Sequence, residues 1–184
     1  RVRCLELPSR TNARLARRFG ARASVVWGDL RDAEVVARAA EGVDVVLHVA
    51  FVIHPATERA PELARQVNVD GTRNVVRACL AQPTPPRLVF ASSYHVHRFD
   101  RDRTPPLRVD APVEASDVYA AHKIEAERVV MESGLRASVL RLSSVALDRG
   151  IDAEILRTIF AIPLETRMEM IDPGDAGRAF ANAV

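Results

Sequence analysis

Short apolar runs rich in valine recur along the chain: VRCLEL at 2–7, ASVVW at 23–27, VDVVLHV at 43–49, RLVFA at 87–91 and ASVLRL at 137–142. Runs of this length, bounded by polar residues, read as buried strands. Between them the spacing turns helical. Over 62–81, Leu63, Val67, Gly71, Val75, Cys79 and Leu80 share one face behind Pro61, which suits a first-turn position. Over 117–133, Asp117 is placed to cap the first turn and Gly134 to end the last. Strands alternating with helices predict an α/β fold, a doubly wound parallel sheet of Rossmann-like type. The stretch 94–116, rich in Pro, Asp and Arg, is expected as a surface loop near the site. In such a sheet ligands bind outside the carboxyl ends of the strands, so residues that carry chemistry should gather there.

Composition narrows the partners. The 184 residues suffice for one core, and no apolar run approaches the roughly 20 residues that cross a bilayer. A membrane partner is therefore not expected, and with no secretory signal in view the expected location is the cytoplasm. Cys4 and Cys79 sit in apolar contexts and read as buried thiols rather than a disulfide. The net charge of +2 comes from scattered arginines. Their densest group, Arg14, Arg17 and Arg18, lies opposite Leu15 and Phe19 on a short amphipathic helix, a solvated face rather than a nucleic-acid patch. A small-molecule substrate remains the natural partner.

Every basic residue but one is arginine, the exception being Lys123, four residues after Tyr119. That spacing puts both side chains on one helix face. A nearby ammonium is expected to lower the phenol's pKa toward the working range, making Tyr119 an acid/base. A compact ammonium can also hold ribose hydroxyls, which a guanidinium fork does not replace. Ser93 ends the strand-like run in RLVFASSYHVHR, where its hydroxyl can hold a substrate oxygen in line with Tyr119. His48, inside an apolar strand, reads as a satisfied core histidine, and no His or Cys spacing suggests a metal site.

With these motifs the chain resembles the extended short-chain dehydrogenase/reductase family, the NAD-dependent epimerase/dehydratase group. VVWGDLRD, DVVLHVAF, NVDGTRNVVRAC, RLVFASSYHVH, YAAHK, SVLRLSSV and DPGDAGRAFANAV follow in that family's order. The resemblance implies catalytic roles for Ser93, Tyr119 and Lys123. It implies cofactor contacts at Glu6, Asp29, Leu30, Ala50, Asn68 and Lys123, Asn68 also stabilising the central strands. Thr72 would begin the packed body of its helix, Asp175 would start the last helix, and His95 and Ser143 would border the substrate. The cofactor is expected to be NAD, with NADP open: Glu6 at a strand end favours NAD, whereas Arg10 could accept a 2′-phosphate. The implied activity is oxidoreduction or epimerisation at a hydroxyl or carbonyl carbon. A homodimer is left open, as are a non-catalytic dinucleotide-sensing regulator and an inert remnant of the same fold.

The chain also departs from that family. No Gly-x-x-Gly-x-x-Gly is present, and VRCLEL resembles the family's second strand. About 25 to 30 residues with the first strand, glycine loop and first helix are thus expected to be missing, so the chain reads as a fragment lacking its central strand in the 3-2-1-4-5 order. Residues 1–150 would form a partial NAD(P)-binding domain, and 151–184 an abbreviated start of the substrate lobe with a returning helix. Tyr94 and His95 stand where the family's dehydratases carry an Asp-Glu pair, which argues against sugar dehydration and leaves ketone, aldehyde or sterol-like substrates.

Overall fold

A computed structural model of the chain describes residues 1–98, 106–146, 156–157, 160–163 and 169–184. The five expected strands form as β1 (Val2–Glu6), β2 (Ala23–Trp27), β3 (Val45–His48), β4 (Arg87–Ser93) and β5 (Ala137–Leu142). They pair in parallel, the arrangement that helical crossovers impose on alternating strands. Between them run α1 (Arg10–Ala16), α2 (Ala33–Ala40), α3 (Ala56–Arg59), α4 (Pro61–Arg65), α5 (Gly71–Leu80) and α6 (Val118–Met131). A short pair follows, β6 (Ser144–Val145) beside β7 (Met170–Ile171).

The strands fall into separate hydrogen-bonded groups, β1–β2 and β3–β4–β5. The sheet therefore breaks between β1 and β3, where the motif order expects a central strand. Val2, Leu47 and Val49, on or beside the bordering strands, are 57%, 46% and 59% exposed. Helix packing joins the two groups instead. Val36 and Ala40 of α2 enter one cluster with Val75, Val76 and Cys79 of α5 and Leu88 and Phe90 of β4. Arg3 of β1 donates to the carbonyls of Arg38, Ala39 and Glu41, at 3.4, 3.0 and 2.6 Å. It thereby satisfies acceptors that the end of α2 leaves without a helical partner.

The continuous helix expected over 62–81 is divided into α4, a wider π-type turn at Gln66–Asp70, and α5. The turn buries Asn68 and Val69 together. Gly71 follows it at a close approach, since a Cβ there would lie 3.0 Å from the Cβ of Leu30. At α6 the sequence signals hold: Asp117 accepts from the Ala120 amide at 2.7 Å, and Gly134, at φ +77°, follows the helix end. The last helix, Pro173–Asn182, starts earlier than expected. Asp172 is its cap and Asp175 lies in its first turn, because Pro173 already fits the first helical position.

The apolar side of α1 is not covered as its amphipathic pattern suggests. Leu15 and Phe19 are 45% and 52% exposed, and the chain tightens into a 3-10 stretch kinked at Gly20, which breaks the helical face. Both cysteines are free thiols, and burial pushes that of Cys79 up to about 11, leaving it inert. The expected domain boundary near 150 and residues 99–105 of the expected loop lie outside the described residues. No helix among the described residues is long and apolar enough to cross a membrane.

Leu88, fully buried at the centre of β3–β4–β5, anchors this core. Leu88→Ala is expected to lower unfolding free energy by about 2–5 kcal/mol in urea denaturation, through lost burial and the cavity left behind.

Candidate active site

Tyr119, Lys123 and Glu127 recur every four residues and form one stripe of α6, which faces the carboxyl half of β4. Lys123 is 3% exposed and donates to the Ala91 carbonyl at 2.6 Å. Its ammonium also lies 3.6 Å from the Phe51 ring centre, a cation–π contact. Glu127 accepts the Ser92 hydroxyl and holds the Arg141 guanidinium through Nε and a terminal nitrogen, at 2.9 and 2.7 Å. Arg141 in turn reaches the Val109 carbonyl and His97, whose Nδ1 meets the Pro112 carbonyl at 3.1 Å. This buried ionic set fastens α6, β4, β5 and the loop before α6 together.

At the end of β4, the Ser93 hydroxyl accepts from the His95 amide at 3.2 Å and lies close enough to the Tyr119 phenol to act on its pKa. The Ser/Tyr pair expected from the sequence is therefore assembled in space. Phe51 meets the Tyr119 ring edge-on, with centres 5.8 Å apart.

The expected lowering of the Tyr119 phenol by Lys123 does not arise in this arrangement. Burial pushes the phenol above its usual range, the Ser93 hydroxyl opposes that, and the Asp117 charge adds to the rise. Lys123 is aimed at Ala91 and Phe51, 5.7 Å from the centre of the Tyr119 ring. Its own ammonium is pushed down to about 7 by burial, against the pull of Glu127.

The loop after β3 is held by Asn68, whose amide accepts from Val52 N at 2.6 Å and donates to Val52 O at 3.0 Å. Asn68 is fully buried, so it fixes this loop and offers no surface of its own to a ligand. Thr72 donates to the Asn68 carbonyl, and its oxygen lies 2.9 Å from His48 Nε2. With the Thr72 proton committed, His48 donates from Nε2, and burial holds its pKa down to about 4. It is the satisfied core histidine that the apolar strand suggests.

The remaining expected contacts lie at strand ends. Glu6 is exposed and accepts from the Leu7 amide and the Asn12 side chain, at 3.0 and 2.9 Å. Asp29 is gripped by the Arg31 side chain and amide, which outweighs burial and lowers its pKa. Leu30 packs on the core, Ala50 is exposed after β3, and Ser143 is half-buried between β5 and β6. Glu6, Asp29, Leu30 and Ala50 are the residues that could meet a dinucleotide here, beside an open apolar rim at Val49 and Ile53, 59% and 60% exposed. The sequence holds no glycine-rich turn for the pyrophosphate.

Sequence reasoning did not single out Phe51, Glu127, Arg141 or His54. Two signals were available: Glu127 continues the four-residue spacing of Tyr119 and Lys123, and Arg141 interrupts an otherwise apolar strand. His54 joins the site only in space. One nitrogen each of His54 and His95 and a carboxylate oxygen of Asp117 lie within 4.8 Å of one another, although no sequence spacing suggests a metal site.

Residues 1–149 match the model of the 3-beta hydroxysteroid dehydrogenase/isomerase family. Human 3 beta-hydroxysteroid dehydrogenase type 7 is 35% identical over 124 residues, covering 62% of this chain and 32% of that protein. The L-arabinose 1-dehydrogenase (NAD(P)(+)) of Haloferax volcanii is 40% identical over 92 residues, 49% of this chain and 35% of its own length. The chain thus spans about a third of the length of these curated relatives. Among solved structures, a dTDP-glucose 4,6-dehydratase from Streptomyces venezuelae, a double mutant with NAD and DAU bound, superposes with a TM-score of 0.79 at 23% identity. That match covers 98% of this chain and 62% of the other, and supports the Rossmann-like fold.

Lys123 is the only lysine of the chain, so its ionisation can be read without assignment. In protein labelled at lysine Cε, the single NMR resonance is expected to titrate with a midpoint near 7. A midpoint near the ordinary lysine value of about 10.4 would show the ammonium to be solvated.

Proposed function

The chain belongs to the 3-beta hydroxysteroid dehydrogenase/isomerase family, and on that premise we propose that the protein carrying it is an NAD(P)-dependent oxidoreductase. It acts at a secondary hydroxyl or carbonyl carbon of a small molecule, with sterol-like alcohols the substrate class its family suggests. The observation that carries this reading is the approach of Ser93 to the Tyr119 phenol at the carboxyl end of β4, with Lys123 one helical turn further on.

Ser93 and Tyr119 hold the substrate oxygen between two hydroxyls. Tyr119 gives its proton to that oxygen as the carbonyl is reduced and takes it back as the alcohol is oxidised. Its raised pKa favours the protonated form needed for reduction. The dinucleotide, when bound, supplies or accepts the hydride. Lys123 would hold the nicotinamide ribose, and Ala50, on the loop that Asn68 fixes, would contact the dinucleotide. His95 and Ser143 border the substrate. The carboxylate of Glu6 accepts from ribose hydroxyls and repels a 2′-phosphate, which favours NAD over NADP.

In the protein that carries this chain, Tyr119→Phe is expected to abolish turnover while leaving the cofactor Kd unchanged, since only the phenolic proton is lost. Undiminished turnover would sink the assignment. Kd for NAD is expected to be lower than for NADP by fluorescence titration, with Glu6→Gln narrowing the gap. Tighter NADP binding by the unaltered protein would reverse the cofactor preference.

A further inference from the structure

We propose that His54, His95 and Asp117 form a binding site for one divalent transition-metal cation of the zinc class, at the mouth of the Ser93–Tyr119 pair. The inference does not depend on the catalytic reading above. One ligand atom from each residue lies within 4.8 Å of the other two. His54 Nε2 and Asp117 Oδ2 are already 3.7 Å apart. Tetrahedral zinc, with ligand bonds of about 2.0–2.2 Å, places neighbouring ligand atoms about 3.4 Å apart, so side-chain adjustment closes the set. Two imidazoles and one carboxylate select a borderline cation over magnesium or calcium, which take oxygen ligands.

A second observation points the same way. His54 Nδ1 lies 2.7 Å from Glu58 Oε2, and the Thr57 hydroxyl donates to that same oxygen at 2.7 Å. Metal-binding imidazoles almost always give their other N–H to a carboxylate, a backbone carbonyl or water, which fixes the tautomer and turns the bare nitrogen to the metal. Here Glu58 does so, leaving Nε2 toward Asp117. Asp117 is likewise divided: Oδ1 accepts from the Ala120 amide at 2.7 Å as the cap of α6, while Oδ2 accepts from the Ser116 hydroxyl at 3.3 Å and lies 3.7 Å from His54 Nε2. Capping thus holds the aspartate in place and keeps one oxygen turned to the cluster.

The ligands come from the loop after β3, the 3-10 turn after β4 and the cap of α6, all elements that border the site. The His54 and His95 rings lie 5.5 and 5.9 Å from the Tyr119 ring. Three protein ligands leave a further coordination position for water or an added small ligand.

The test is calorimetric titration of the protein that carries this chain with Zn²⁺, paired with Co²⁺ titration followed by visible absorption. One equivalent is expected to bind, with the intense absorption of four- or five-coordinate cobalt. His54→Ala, His95→Gln and Asp117→Asn are each expected to raise Kd at least tenfold. Glu58→Gln should raise it by about ten- to a hundredfold without abolishing binding, the usual effect of losing an outer-shell partner. Asp117→Asn keeps an oxygen for the helix cap, and far-UV circular dichroism checks that each variant remains folded. Absence of saturable binding, a weak octahedral cobalt spectrum, or a Kd unchanged in any folded variant of the three ligands would overturn the site.

Discussion

The structure turns on the docking of α6 against β4 through a buried charged stripe. Lys123 and Glu127 leave water together, and the sheet must answer each: the Ala91 carbonyl of β4 accepts from the ammonium, while Ser92 of β4 and Arg141 of β5 satisfy the carboxylate. A buried charge whose partner is removed costs on the order of 3–5 kcal/mol, so this arrangement tolerates little sliding of helix against strand. Tyr119 is one turn upstream on the same face. Its meeting with Ser93 follows from the registration that the charges enforce.

Burial sets the electrostatic character of the site. It holds His48 neutral, brings the Lys123 ammonium within reach of deprotonation near neutrality, and raises the Tyr119 phenol. These shifts share one cause, since low dielectric disfavours the charged form whether acid or base. Lys123 offsets part of that loss by resting on the electron-rich face of Phe51. The aromatic side chain beside the phenol thus also supports the ammonium.

The loops repeat this economy at the strand ends. Asn68, from the π-type turn between α4 and α5, pairs with both backbone groups of Val52 and so fixes the path of the chain after β3. That path carries Phe51 to Lys123 and His54 to Asp117. A buried amide paired through both its oxygen and its nitrogen with one loop residue, with His122 Nδ1 3.4 Å from that nitrogen, is a rigid clamp, because releasing it would strand donors and acceptors away from water. Asn68 acts on the site through that clamp.

The sequence by itself determined the five strands, their alternation with helices, the cap at Asp117 and the Tyr-x-x-x-Lys stripe, because each depends on periodicity or local hydrogen bonding within a few residues. It also placed Ser93 at a strand end, where this topology gathers ligand sites. The π-type turn within 62–81 was not legible in the helical spacing, and the residue it buries, Asn68, is paired with Val52 on a separate loop. Nor was the division of labour between Tyr119 and Lys123, because the direction of a pKa shift depends on which groups three-dimensional packing buries and which it brings near. The Glu127–Arg141 bridge and the His54–His95–Asp117 cluster were decided by tertiary structure alone: their members lie far apart along the chain, or mean little at their spacing, until parallel strands bring their ends together.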